Sequence, residues 1–148
     1  MPTDRQFVCA SCKKEEWAGR LFDVLQALVH SRPSACACGH SRYLKLEFPF
    51  GLDAGPFECK ALAAFLPDEE HGTDWPDSNG GTVTFYPFLV IVASIEDGDQ
   101  RVWLPYWHVV RFADGRRTQT KYGQWAPHMA MTTMANLLMQ ARNAGFSI

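Results

Sequence analysis

The sequence predicts an α+β protein: an N-terminal cysteine-paired module with an inserted helix, then an antiparallel β-meander packed by a C-terminal helix. Three observations carry that expectation. Two close cysteine pairs, Cys9 with Cys12 and Cys36 with Cys38, bracket one amphipathic stretch; β-branched and aromatic residues dominate from Thr82 to Phe112; and an apolar helical stripe follows Pro127. At 148 residues, 47% of them hydrophobic, the chain is long enough to bury a core and too apolar to be disordered.

Each element follows from local pattern. In GRLFDVLQALVHSR, Leu21, Phe22, Leu25, Leu28 and Val29 recur at helical spacing, and Pro33 closes the segment. RYLKLEF alternates Leu44, Leu46 and Phe48 and predicts a strand. PFGLDAGP supplies two prolines and two glycines, a boundary that divides a module at 1–48 from an α+β domain at 49–148. FECKALAAFL alternates Phe57, Cys59, Ala61, Ala63 and Phe65, which favours a strand over a short helix. PDEEHGTDWPDSNGG has no periodicity and predicts a long polar loop.

From Thr82, TVTFYPFLVIVASI and RVWLPYWHVVRF are strands joined by the turn EDGD, so they predict a hairpin. ADGRR then turns into TQTKYGQW as a third strand. Pro87 and Pro105 each lack a ladder donor and must mark bulges, edges or strand breaks. The last segment places Met131, Met134, Leu137, Leu138 and Ala141 on one helical face, with Gly145 as the stop.

Charge limits the function. With 14 Lys+Arg against 16 Asp+Glu the net charge is -2, so the molecule as a whole is no electrostatic glove for nucleic acid. The charge is uneven: residues 1–48 carry seven basic and five acidic side chains, 49–77 one and seven, and 78–148 six and four. The N-terminus lacks the apolar core of a signal peptide, and no run is long enough to span a bilayer. The expectation is a soluble, cytoplasmic protein with no membrane partner. Its five cysteines would then stay reduced, and an odd number suits no closed disulfide framework.

Metal binding is the leading use for four of them. A structural zinc site needs four deprotonated sulfur or imidazole ligands in a tetrahedron, and close pairs on tight knuckles aim two side chains at one point. FVCASC with ACACGH resembles a zinc-ribbon or related zinc-knuckle module over residues 7–48, and the resemblance implies zinc held by Cys9, Cys12, Cys36 and Cys38. Such modules usually repeat C-x-x-C, whereas the second pair here is C-x-C. His40 or His30 therefore remains an alternative fourth ligand. Reduced cysteines without metal, and an iron–sulfur or redox role, are the competing uses of the same residues. Cys59 stands apart on a strand and reads as a buried thiol.

Other constellations are weaker. Asp53 with Glu58-x-Lys60 faintly resembles the acid plus E-x-K pattern of the PD-(D/E)xK nuclease superfamily, which implies magnesium-assisted phosphodiester cleavage. His71 lies among Asp68, Glu69, Glu70 and Asp74, where solvated loop acids are the simpler explanation. His108 sits in an aromatic strand, which suggests a packed ring. No Ser/His/Asp arrangement, P-loop or dinucleotide fingerprint occurs. In RFADGRRTQTKYGQW, Arg111, Arg116, Arg117 and Lys121 interleave with Tyr122 and Trp125, a pattern suited to single-stranded nucleic acid or an acidic protein surface. The expectation is a small non-enzymatic zinc-binding adaptor with a protein partner. A nucleic-acid-binding zinc module and a metal-dependent nuclease are the alternatives.

Overall fold

The structure is a computed structural model that describes residues 1–49, 55–68, 74–76, 80–116, 118–123 and 129–148. In chain order the elements are β1 (Asp4–Cys9), β2 (Glu15–Trp17), α1 (Leu21–His30), β3 (Arg42–Phe48), β4 (Phe57–Phe65), β5 (Asp74–Pro76), β6 (Gly81–Pro87), β7 (Leu89–Ser94), β8 (Gln100–Trp103), β9 (Tyr106–Phe112), β10 (Gln119–Tyr122) and α2 (Met131–Asn143). Two helices and antiparallel strand pairs make an α+β protein, as the residue patterns predict. The chain divides into two compact units, residues 1–64 with 90–103, and residues 65–89 with 104–148.

The first unit is built on a six-stranded sheet in the order β2-β1-β3-β4-β7-β8. Register sorts its side chains. Phe7 lies opposite Leu44, Leu44 opposite Ala61 and Leu46 opposite Cys59, so one face of the pleat collects apolar groups while Lys45, Glu47, Glu58 and Lys60 take the other. Leu44, Leu46, Cys9 and Cys59 are wholly buried. Helix α1 contributes Leu21, Val24 and Leu25 to the core, at spacing that makes one stripe. Burial of a leucine such as Leu25 is worth roughly 1.5–3 kcal/mol. Strand β1 escapes the sequence patterns, because DRQFVC has apolar residues only at its end.

The second unit holds a four-stranded sheet in the order β10-β9-β6-β5. Phe85 lies opposite His108, and their rings, with that of Tyr106, lie 5.6–5.7 Å apart on one face. Trp107 and Tyr122 pair on the other at 5.2 Å. Strand β5 falls inside the stretch expected to be a polar loop.

The long hairpin predicted from Thr82 to Phe112 is divided. The β6–β9 and β7–β8 pairs belong to different sheets, and the breaks fall at Pro87–Phe88 and Leu104–Pro105, where a proline removes a ladder donor. Phe88 N–H donates to the Pro105 carbonyl at 2.8 Å across the break.

Helix α2 ends as predicted. Gly145 takes φ of 96°, its N–H reaches the Arg142 carbonyl at 2.9 Å, and Phe146 N–H reaches the Ala141 carbonyl at 3.1 Å, a Schellman closure. Leu137 and Ala141 are buried, whereas Met131, placed by pattern on the same face, is 90% exposed at the first turn.

Candidate metal centre

Two knuckles converge at one end of the six-stranded sheet. The first is the turn from β1 into β2. Cys9 closes β1, its N–H bonds the Lys14 carbonyl at 3.0 Å, and Lys13 turns the chain with φ of 64°. The left-handed conformation at a residue with a Cβ is uncommon, and Lys13 holds it with its ammonium on the Ala10 carbonyl at 2.7 Å. The second knuckle precedes β3. There Gly39 adopts φ of 88° and donates to the Cys36 carbonyl at 2.8 Å, and Cys36 N–H bonds the His40 carbonyl at 2.9 Å. The pairing of β1 with β3, which sets Cys9 opposite Arg42, places the two turns side by side; Ala10 N–H to the Ser41 carbonyl at 3.0 Å joins them.

The result is a quartet. The Sγ atoms of Cys9, Cys12, Cys36 and Cys38 all lie within 4.8 Å of one another, and this group can hold a metal ion. Cys9 and Cys38 sulfurs are 3.5 Å apart, and those of Cys12 and Cys36 are 3.7 Å apart. A disulfide requires ~2.05 Å, so neither pair is bonded. A tetrahedron of sulfurs ~2.3 Å from its centre has edges of ~3.8 Å, close to both separations.

Electrostatics also favour a cation. Burial pushes the Cys9 thiol up, but N–H groups of Cys12 and Ser11 and the neighbouring thiols outweigh it and bring Cys9 down to about 6. The Lys14 amide pulls Cys12 down, yet Cys9, burial, Cys36 and Cys38 drive it up to about 11. One thiolate therefore forms readily and the next is resisted by its charge. Four thiolates in so small a space need a cation among them.

The sequence matches no protein-family model, no curated protein and no solved structure.

The surroundings fix the knuckles. Arg42 donates from Nε to the Ser34 carbonyl at 2.7 Å and from its terminal nitrogens to Ser34 Oγ at 2.6 Å and Glu16 at 2.8 Å, while its guanidinium covers Phe7 at 4.7 Å. One side chain thus ties both knuckles to the sheet. Glu16 also meets Lys14 at 2.8 Å, and that ammonium bond, with Arg42 beside it, holds the Glu16 carboxyl below its ordinary range. His40 reaches the Cys38 sulfur through Nδ1 at 3.5 Å but lies outside the quartet, and His30 is not part of it. Cys59 is buried away from the centre, and desolvation pushes its thiol up to about 12. A buried, protonated sulfur is a packing residue.

The other singled-out residues are placed as follows. Glu58 and Lys60 share the polar face of β4; Glu58 faces Lys45 at 3.8 Å, and the Lys60 ammonium covers Tyr43 at 4.4 Å. Asp53 lies outside the described residues, so the acid that would complete a nuclease pattern is not among those described. The same holds for Glu69, Glu70, His71, Arg117 and Trp125. Buried Asn136 donates from Nδ2 to the Asp68 carboxylate at 2.9 Å.

In the basic segment, Arg111 donates to Thr84 at 2.8 Å and Tyr86 at 3.0 Å, and Arg116 pairs with Asp114 at 2.7 Å over the Phe112 ring. Lys121 is exposed, and Tyr122 packs edge-on against Trp107. Arg111, Arg116 and Tyr122 thus make intramolecular contacts. Arg42 and Lys13 are the supporting residues the patterns missed, and neither residue type announces its role in the sequence. Among the described residues, no helix is long and apolar enough to cross a membrane.

Proposed function

We propose that this chain is a non-enzymatic zinc-binding adaptor whose metal, held by Cys9, Cys12, Cys36 and Cys38, fixes two surface knuckles for contact with a protein partner. The sulfur quartet carries the reading: four Sγ atoms within 4.8 Å suit one tetrahedral ion. A polynuclear iron–sulfur cluster needs a wider cysteine frame to enclose its irons and sulfides, which argues for a single ion. Four protein ligands leave no open position for water or substrate, so the ion is structural. Cys12 and Cys38 are exposed, so the stabilised turns stand at the surface, where a partner reaches them.

Elemental analysis of purified protein tests the metal; about one zinc per chain is expected from the single closed site. Zinc-free protein with an intact fold contradicts it. Co-purification from the native host, compared with a Cys36→Ser variant, tests the adaptor role. Salt-dependent binding of single-stranded RNA or DNA, lost on Arg111→Ala with Lys121→Ala, would replace the protein partner by nucleic acid.

A further inference from the structure

Between α1 and the sheet of the first unit lies an open cavity of about 300 Å³ whose walls include Phe7, Val24, Leu28 and Leu44. Its rim carries one cation without a counter-ion among the described residues, Arg32. Arg32 and Arg42 both line it, and no carboxylate does. Arg42 is anchored by Ser34 and Glu16, whereas exposed Arg32 has no ion-pair partner among the described residues. Ser31, Arg32, Pro33 and Ser34 line its third side, on a strap at residues 31–36 that runs outside any helix or strand. Beyond the Ser31 N–H on the Ala27 carbonyl, residues 31–35 make no main-chain hydrogen bond to another main-chain group among the described residues.

We propose that this cavity is the adaptor's recognition pocket, and that it takes an acidic linear peptide that inserts one bulky apolar side chain. The inference rests on the adaptor reading and specifies its partner. Three features select that ligand. The apolar walls desolvate an anchor side chain, the kind of contact that dominates peptide affinity. The guanidinium at the mouth favours flanking Asp or Glu and penalises Lys or Arg. Along the strap the Ser34 carbonyl is taken by Arg42 and Pro33 has no N–H, but Arg32 and Ala35 make no main-chain hydrogen bond to another main-chain group among the described residues, which leaves main-chain groups for a peptide. The volume of about 300 Å³ gives room for one bulky side chain.

The pocket also adjoins the sulfur quartet. Pro33 and Ser34 belong to its wall, and the same strap continues into Cys36. A loosened knuckle therefore deforms the pocket.

The test uses a randomised linear peptide library selected on the full zinc-treated chain. Selected sequences should share one bulky apolar residue beside Asp or Glu. A fluorescein-labelled copy should lose ~10-fold or more in affinity when its anchor becomes Ala. The same loss is expected with Ala27→Trp, which fills the mouth from an exposed helix position, and with Arg32→Glu, which reverses its charge. Both sites are exposed, so circular dichroism and zinc content should match the parent. No shared sequence, a basic one, or binding unchanged by Ala27→Trp overturns the proposal. Zinc assayed on the same samples separates the claims: zinc-loaded protein without a consensus refutes the pocket alone, and an acidic consensus on zinc-free protein supports the pocket and refutes the metal.

Discussion

Cys9 and Cys12 show how one residue type takes different tasks from its surroundings. Amide donors bring the Cys9 thiol down to about 6, while shared charge lifts Cys12 to about 11. Binding a cation must expel the remaining protons, so affinity falls as protons become abundant. Zinc release measured with a chromophoric chelator should rise as pH falls, because protons compete with the ion for the four thiolates. Cys59 should behave oppositely. Its buried, protonated sulfur should resist alkylation in the native state. Cys59→Ala should cost about 1 kcal/mol in urea unfolding through lost packing and leave zinc content unchanged.

His108 supplies a second pH test. Burial first, and the Lys121 charge second, hold its imidazole below the ordinary value of 6.5. Because the unfolded chain accepts the proton first, stability declines as pH drops through 6.5. Above that pH both states are neutral there and the contribution is constant. The urea midpoint of a His108→Gln variant should fall less between pH 7 and pH 5.5 than that of the parent. Identical slopes would show that the ring is solvated.

At the scale of elements, single side chains join segments that the backbone alone leaves apart. Buried Asn136 on α2 donates to Asp68 at 2.9 Å and accepts from the Asp68 N–H at 3.3 Å, while Gln140 bonds both Asn136 and the Leu66 carbonyl. Asn136→Ala removes the buried member, while its partners, exposed Asp68 and half-buried Gln140, can turn to water. A loss of ~1 kcal/mol in denaturant unfolding is expected. Arg42 plays the corresponding part at the metal centre, since a lysine cannot reproduce its forked bonds to Ser34 and Glu16. Arg42→Lys should speed zinc loss to a competing chelator with the sheet intact. Close approach also limits substitution: a Cβ at Gly123 would overlap the Tyr106 ring.

For the molecule as a whole, legibility tracked the strength of local pattern. Helices α1 and α2, strand β3 and the strand-rich middle announce themselves by periodicity, and the cysteine spacing singles out all four members of the quartet. Strand β1 does not, because it is recruited by β2 and β3 and carries Asp4, Arg5 and Gln6. The division of the long hairpin was signalled by Pro87 and Pro105, but a missing N–H cannot say that the strands continue in another sheet. The competition between Cys36, Cys38 and His40 was likewise beyond spacing. Only the turn geometry at Gly39 shows both sulfurs joining the quartet while the imidazole stays beside Cys38.

The central claim is a closed four-sulfur site for one zinc ion. X-ray absorption at the zinc edge on the purified protein reads the ligand shell directly. Four sulfurs at ~2.3 Å, with no imidazole scattering, are predicted for Cys9, Cys12, Cys36 and Cys38. A shell containing nitrogen from His40, or no bound zinc in protein whose sheet is intact, would contradict it.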